Sequence, residues 1–167
     1  MDIFTALESR RSCREFAPDP VDPATIERIL TAATWAPSPL NTQPWKFIVV
    51  RDRAKLDGIT SFHPYCTMIT QVSVAIIVCG DPSGKKWADL WPQDCSAAVQ
   101  NFMLYLWKAG VGSKWVTSDI TRDSRFFDIA GIDADKEFVV GLIFFGYPKL
   151  TPTQSRKPVE DVLTDLP

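Results

Sequence analysis

The stretch from Trp35 to Trp45 constrains the fold more than any other part of this chain. It contains Pro37, Pro39 and Pro44, and because proline fixes φ and lacks an N–H, neither a helix nor a central strand can run through it. Four short polar side chains stand between and beside these prolines: Ser38, Asn41, Thr42 and Gln43. The sequence therefore predicts a stiff polar loop, which is either a platform for a ligand or an ordinary surface connection.

Regular elements are predicted on both sides of this loop. Asp22 and Pro23 are typical of a helix N-terminus, and that helix ends before Pro37. The apolar run Trp45–Val50 is typical of a strand buried on both faces. The other predicted elements are a helix at 3–9 with Ile3, Phe4 and Leu7 facing inward, a helix starting near 53, strands at 72–79, 114–117 and 138–145, a long helix from 93 or 94 to 109, and a helix at 121–130. Because helices and strands alternate, the class is α/β or α+β, with one sheet flanked by helices.

The long helix is apolar on nearly its whole circumference. Cys95, Val99 and Met103 fall on one face, whereas Ala98, Phe102 and Tyr105 fall on another. Such a helix is expected to be buried twice, against its own sheet and against something else. In a chain of this size, we expect the second surface to be another copy of the chain.

Length and composition exclude several classes of protein. The 167 residues are enough for a single domain, residues 1–167, and 46% of them are hydrophobic, as in globular proteins. A net charge of −2 gives no electrostatic reason to expect nucleic acid or an anionic membrane as partner. No uncharged apolar run reaches the length of a membrane span, and the N-terminus lacks a signal peptide. We therefore expect a cytoplasmic protein.

Cysteine and histidine usage argues against a metal site. The four cysteines show no Cys-x-x-Cys spacing, and His63 is the only histidine, so we expect no bound metal and reduced thiols. His63 is interpreted as a residue of the surface or of a pocket rim. Cys13 lies among arginines, which are expected to lower the pKa of its thiol.

The segment from Arg10 to Arg14 contains three arginines at the end of the first helix. Positive charge at this position suits the helix dipole. Arginine forks beside the Ser12 hydroxyl would equally suit an anion such as phosphate. The composition of the segment favours the hypothesis of an anion site.

The chain has few of the residues that carry out chemistry by themselves. The glycine-rich fingerprints of dinucleotide and nucleoside triphosphate sites are missing, as is a Gly-x-Ser-x-Gly elbow. Polar, basic and stiff segments without proton-transfer machinery are typical of an enzyme whose cofactor carries the reaction.

Several motifs together resemble the FMN-dependent nitroreductase superfamily. Arg10–Arg14 is similar to its opening motif, and Pro37–Trp45 is similar to its second motif. Gly112–Trp115, Gly146–Pro148 and Arg156–Pro158 resemble its C-terminal blocks in the same order. Each motif alone is weak, but their order and spacing across nearly the whole chain are specific.

The resemblance implies an α+β, nitroreductase-like fold with a central mixed, mostly antiparallel sheet flanked by helices. It also implies an intertwined homodimer with two FMN molecules at the interface. Arg10, Arg11 and Ser12 would hold the phosphate and ribityl chain, Arg14 would reach the pyrimidine edge, and Arg156 with Lys157 would close over the phosphate. The remaining implied contacts are Pro37, Ser38, Pro39 and Asn41 from the partner subunit, and Trp115, Val116, Thr117 and Ser118 along the isoalloxazine near N5. Pro39 and Ser118 depart from the residues common in the family.

The implied activity is that of an FMN-dependent oxidoreductase. NADH or NADPH would pass a hydride to flavin N5, and a nitroaromatic, quinone or similar small molecule would then accept the electrons in a ping-pong cycle. No side chain is expected to act as catalyst, because flavin N5 carries the chemistry. The alternatives are a flavoprotein of other chemistry, such as dehalogenation or flavin fragmentation, and a flavin-binding protein without turnover.

Overall fold

A four-stranded sheet forms the centre of the computed structural model, which describes residues 1–81 and 89–165. The strand order is β1-β2-β4-β3, and each neighbouring pair is antiparallel. The strands are β1 (Trp45–Val50), β2 (Ala75–Gly80), β3 (Gly112–Val116) and β4 (Phe138–Gly146). The predicted α+β class is confirmed, although the described sheet is antiparallel throughout rather than mixed.

Helices cover both faces of this sheet. The α-helices of the described residues are α1 (Ile3–Ser9), α2 (Pro23–Thr34), α3 (Arg53–Phe62), α4 (Trp91–Lys108) and α5 (Ser124–Ala130). Single 3₁₀ segments lie at Pro39–Asn41, Pro64–Gln71, Asp119–Arg122 and Val159–Asp161.

The predicted helix at 121–130 is two separate elements. Asp123 has an extended backbone, and its carboxylate accepts a hydrogen bond of 2.9 Å from the N–H of Arg125. An Asp that caps in this way starts a helix, so α5 begins after it. The Asp119–Arg122 turn before it is a 3₁₀ segment.

Local capping signals fixed α2 where they were expected. The Asp22 carboxylate accepts from the N–H of Thr25 at 3.0 Å, and Pro23 occupies the first turn. The predicted bounds of β1 are also confirmed. The prediction that β1 is buried on both faces is wrong, because β1 is an edge strand with an exposed Lys46.

Each face of the sheet has its own hydrophobic cluster. On one face, Ile77 and Phe144 pack with residues of α3, α5 and the 64–71 segment. On the other face, Ile76 and Phe145 pack with residues of α2 and α4. Separation of the two clusters follows from the alternation of side chains along each strand.

The two-sided burial of α4 has an explanation within one chain. Phe102 and Met103 belong to the same buried cluster as Ile29 and Ala33 of α2. The second apolar face of α4 is therefore covered by α2, and it requires no second copy of the chain. The expected helix is confirmed, with bounds of Trp91–Lys108.

The expected inward face of α1 is wrong. Ile3 is 75% exposed, Phe4 65% and Leu7 49%, whereas Ala6 is buried. Apolar residues three and four positions apart identify one face of a helix, but their spacing does not determine what covers that face. We call Ile3, Phe4 and Leu7 the outer face of α1.

In the described part of the chain, no helix is both long and apolar enough to span a membrane.

Candidate functional site

The segment 10–14 crosses one end of the sheet beside β3. Ser12 forms a parallel bridge with Ser113, and the N–H of Cys13 donates to the Ser113 carbonyl oxygen at 2.9 Å. Gly112 makes this approach possible, because a Cβ there would lie 2.6 Å from the Cys13 Sγ. The start of β3 thus fixes the position of the arginines that flank Ser12 and Cys13.

Arg11 ties the end of α1 to the C-terminal segment. Its Nη1 donates to the carbonyl oxygens of Glu8 at 2.5 Å and of Arg10 at 2.9 Å, and its Nη2 donates to that of Gln154 at 3.2 Å. An open groove of about 510 Å³ lies here, lined by Ser9, Arg11 and residues 151–155. Arg11 therefore holds one wall of this groove against the other.

Arg10 and Arg156 form a cationic site at this junction. Burial lowers the pKa of the half-buried Arg10, and the neighbouring charges of Arg156 and Arg11 lower it further. No carboxylate of the described residues forms an ion pair with Arg10 or Arg156. Like charges held together without a counter-ion favour an anionic ligand. Lys157, the next residue, is exposed.

Arg14 of the same segment and Lys114 of β3 form a second cationic site. Burial lowers the pKa of Lys114, and the charge of Arg14 lowers it further. The Lys114 Nζ lies 5.6 Å from the centroid of the Tyr65 ring, within the range of a cation–π contact. These two cations also make no ion pair with a carboxylate in residues 1–81 and 89–165.

Cys13 does not have the reactivity that its neighbours suggested. Its side chain is fully buried, and burial raises the pKa of its thiol above the ordinary value. The hydrogen bond from Ser113 and the charges of Arg10 and Arg14 oppose this shift only in part. The expectation of a lowered pKa was wrong because sequence neighbours reveal charge but not burial.

The end of β3 leads from the buried sheet to the surface. Val116 is buried, Thr117 is exposed and Ser118 is half-buried. The indole Nε1 of Trp115 is buried without a hydrogen-bond partner. Its ring lies against Gly141, where a Cβ would approach Nε1 to 2.2 Å.

His63 is buried and paired, in contrast to the surface or rim residue that was expected. Its ring Nε2 lies 2.8 Å from the Ser118 Oγ, and its Nδ1 lies 3.7 Å from the Cys66 Sγ. The Tyr65 ring packs beside it with a centroid distance of 5.7 Å. Because 55 positions separate His63 from Ser118, no local sequence signal could have indicated this pair.

The proline-rich loop is held in an uncommon conformation. Leu40, Asn41 and Gln43 all have positive φ, at 52°, 57° and 48°, a region that side chains other than Asn and Asp rarely adopt. The Ser38 Oγ accepts a hydrogen bond of 3.0 Å from the N–H of Gln43, which closes the loop on itself. Such stored strain is typical of binding and switch segments.

The loop and the arginine segment lie at diagonal corners of the sheet. The loop leads into Trp45 of the edge strand β1, which pairs with Gly80, whereas Ser12 meets Ser113 on the opposite edge strand. Three strand spacings separate these edges by roughly 14 Å. Along β4, the level of Phe138 and that of Phe145 differ by roughly 20 Å. One copy of the chain therefore presents the two segments at separate places.

Sequence comparison decides the family. A sequence model described as "Nitroreductase family" matches residues 7–75 and 64–147. The chain belongs to the nitroreductase family. A relative from Methanothermobacter thermautotrophicus, provisionally named NADH dehydrogenase/NAD(P)H nitroreductase, is 39% identical over 91% of this chain and 80% of its own length.

Solved structures of nitroreductase-family proteins have the same fold. A protein from Bacteroides thetaiotaomicron, provisionally named NADH dehydrogenase/NAD(P)H nitroreductase, is 32% identical with a TM-score of 0.88, over 98% of this chain and 96% of that one. A protein from Desulfovibrio desulfuricans, provisionally named nitroreductase, was solved in complex with FMN. It is 27% identical with a TM-score of 0.92, over 100% of this chain and 98% of that one.

Proposed function

We propose that this nitroreductase-family flavin oxidoreductase passes a hydride from NADH or NADPH to a nitroaromatic, quinone or similar small acceptor. Bound FMN supplies the chemistry by accepting two electrons and releasing them to the acceptor. The protein contributes position, electrostatics and exclusion of water. A cytoplasmic location suits this function and the four unpaired cysteines.

The observation that carries the proposal is the unpaired cationic site of Arg10 and Arg156. A phosphate monoester such as that of FMN would supply the missing counter-charge. Ser12 is exposed and stands between Arg10 and Arg14 in the sequence, and we assign it to the ribityl chain. Arg14 and Lys114 would then meet the pyrimidine edge. Arg11 and Lys157 complete the proposed phosphate end.

The partner subunit would supply the proline-rich loop. Pro37, Ser38, Pro39 and Asn41 lie at the corner diagonal to the arginine segment, so a site built from both needs two chains. Trp115, Val116, Thr117 and Ser118 of the first chain would line the isoalloxazine. In this proposal residues 1–167 form one FMN-binding domain, and the exposed outer face of α1 contributes apolar surface to the homodimer.

The absorbance spectrum of the purified protein tests the cofactor. We expect a yellow protein, and mass spectrometry of the released cofactor should give FMN. Finding FAD, or no flavin after reconstitution with FMN, would contradict the proposal. Initial rates at several fixed quinone concentrations test the cycle, because a ping-pong mechanism gives parallel double-reciprocal lines. A flavin that binds but is reduced by neither nicotinamide would favour a non-catalytic flavin-binding protein.

A further inference from the structure

His63 and Ser118 form a polar pair beside the second cationic site. The distance of 2.8 Å between Nε2 and Oγ is that of a good hydrogen bond. Ser118 is half-buried and follows directly on the exposed Thr117, so its hydroxyl lies between the buried imidazole and the surface. Tyr65 connects this pair to the second cationic site, because its ring packs on His63 and the Lys114 Nζ lies above the same ring.

Cys66 fixes the other side of the imidazole. Burial raises the pKa of the Cys66 thiol to about 12, so sulfur stays protonated and uncharged near neutral pH. A neutral sulfur 3.7 Å from Nδ1 can fix the orientation of the ring without forming an ion pair with it. The ring is thereby directed with Nε2 toward the Ser118 hydroxyl.

The charged and titratable groups around His63 come from three elements. Tyr65 and Cys66 belong to the 64–71 segment, Lys114 lies on β3, and Asp123 precedes α5. A hydrogen bond from Arg125 is the main cause of the lowered pKa of Asp123, and charge on His63 contributes to the same shift. A carboxylate thus lies within electrostatic reach of the imidazole.

We propose that His63, acting through Ser118, supplies the proton that a quinone or nitro acceptor takes up when it is reduced. This inference rests on the proposed function, and it assigns a proton source to that site. Ser118 is the group that contacts the acceptor. His63 is a positioning residue that also returns a proton to the Ser118 hydroxyl. No other histidine exists in the chain to take this role.

The proton balance is simple for a quinone. NAD(P)H is oxidised, and the hydride it gives up by way of the cofactor brings two electrons and one hydrogen to the quinone. The second oxygen takes a proton from the Ser118 Oγ as that O–H bond breaks. The Oγ regains a proton from the Nε2 of the His63 imidazolium, which becomes neutral and is reprotonated by water. The products are NAD(P)⁺ and hydroquinone.

An acceptor that needs no proton gives the sharpest test. Ferricyanide takes one electron at a time without taking up a proton, whereas menadione, a quinone, needs protons. We expect His63→Gln to slow reoxidation of the NADH-reduced protein by menadione about 100-fold, the scale of general acid catalysis, and to leave ferricyanide reoxidation unchanged. Ser118→Ala should slow menadione reoxidation by a much larger factor than ferricyanide reoxidation, and Ser118→Thr, which keeps the hydroxyl, should retain most of the menadione rate.

The pH profile and NMR provide readouts that a purely structural role would not change. The menadione rate should fall with rising pH, over the range in which the His63 ring signals titrate in the same protein. His63→Gln should remove this limb. Once any histidine tag is cleaved, these are the only histidine signals. In Ser118→Ala, the pH midpoint of the ring signals should shift, with or without FMN bound.

Several results would overturn the inference. They are an equal loss of rate with both acceptors, a normal menadione rate in His63→Gln, and an unchanged His63 titration in Ser118→Ala. In each of these cases, FMN binding and NADH oxidation by wild type would leave the proposed function standing. A wild-type protein that binds no FMN would overturn both.

Discussion

Arg11 Nη2 donates a hydrogen bond of 3.2 Å to the carbonyl oxygen of Gln154, a residue 143 positions away in the sequence. With its bonds to Glu8 and Arg10, this contact holds the C-terminal segment beside the end of α1. Arg156 is brought near Arg10 by the same arrangement. The cationic site proposed for the phosphate therefore depends on Arg11, whose guanidinium donates its hydrogen bonds to backbone carbonyl oxygens.

The hydrogen bonds that Arg11 makes to backbone carbonyl oxygens can be removed while a positive charge is kept at this position. Arg11→Lys loses the planar fork that reaches three carbonyl oxygens, so we expect the C-terminal segment to detach. Trypsin should then cleave after Arg156 faster than in wild type, and FMN should bind several-fold more weakly, by about 1 kcal/mol for a lost hydrogen bond. Limited proteolysis and fluorescence titration measure the two effects. Unchanged cleavage would contradict this account of Arg11.

Arg10→Gln is expected to weaken FMN binding directly. Loss of one charged hydrogen bond costs about 1.5–3 kcal/mol, which corresponds to roughly 10- to 150-fold in Kd. Trypsin cleavage after Arg156 should stay at the wild-type rate, because the Arg11 tie is intact. Equal FMN affinity in Arg10→Gln and wild type would show that the phosphate lies elsewhere.

Arg14→Gln should change the redox potential more than the affinity. Two-electron reduction adds negative charge to a flavin, and a cation at its pyrimidine edge favours the reduced state. Two unit charges about 4 Å apart at an effective dielectric of about 20 interact by about 4 kcal/mol. Solvent and Lys114 reduce this to roughly 1–3 kcal/mol, so the midpoint should become more negative by roughly 20–65 mV. Spectroelectrochemical titration measures the midpoint.

Lys114→Gln is the matched control for Arg14. It removes the neighbouring charge of the same site, so it should lower the midpoint in the same direction. Arg10→Gln, at the other cationic site, should shift the midpoint less than either. If Arg14→Gln releases the cofactor and leaves the midpoint unchanged, the assignment of Arg14 to the pyrimidine edge is wrong.

Gly141→Ala tests the close packing of Trp115 on β4. The added Cβ would lie 2.2 Å from the Trp115 Nε1 and 2.7 Å from the Val116 carbonyl oxygen. Because the second atom is backbone, the clash cannot be relieved by a rotamer change, and we expect a loss of about 1–3 kcal/mol in the free energy of unfolding. Denaturant titration of the holoprotein measures it.

Gly110→Ala separates crowding from backbone strain. Gly110 has a φ of +77° and no atom within 4 Å of an added Cβ, so only the left-handed conformation is penalised, by about 1–2 kcal/mol. Gly110→Asn should recover part of this loss, since Asn tolerates that region. An asparagine variant at position 141 should recover nothing. Equal recovery at both positions would contradict the steric account of Gly141.

Phe4→Asp tests whether the outer face of α1 is covered by a partner. Placing a charge where an apolar side chain is buried between subunits disfavours association, so sedimentation should show monomers with weakened FMN binding. Ala24→Asp adds the same charge at an exposed position of α2 and should leave a dimer. A Phe4→Asp protein that sediments as the wild-type dimer would exclude this face from the interface.

Features encoded by neighbouring residues were predictable from the sequence. Asp22 with Pro23 marked the start of α2, and the apolar run from Trp45 marked β1, because capping and strand patterns act within a few positions. The direction of the α1 face was not predictable, since periodicity defines a face and tertiary packing decides its cover.

Long-range relationships account for the parts of the site that the sequence left open. The motifs placed Arg10 and Arg14 in one segment, but only the fold brings Lys114 beside Arg14 and Arg156 beside Arg10. The pairing of His63 with Ser118 joins two elements that packing alone brings together. The assignments of individual residues to flavin atoms stay predictions, which the variants above address.

The diagonal placement of the proline-rich loop and the arginine segment has a genetic consequence. If each site takes one segment from each subunit, a chain defective in its arginines and a chain defective in its loop can compensate for each other. In a mixed dimer, one site combines both defects and the other combines two intact segments. Two inactive alleles would then restore up to half the activity per mixed dimer, and a cell carrying both would reduce acceptors that neither allele alone could reduce.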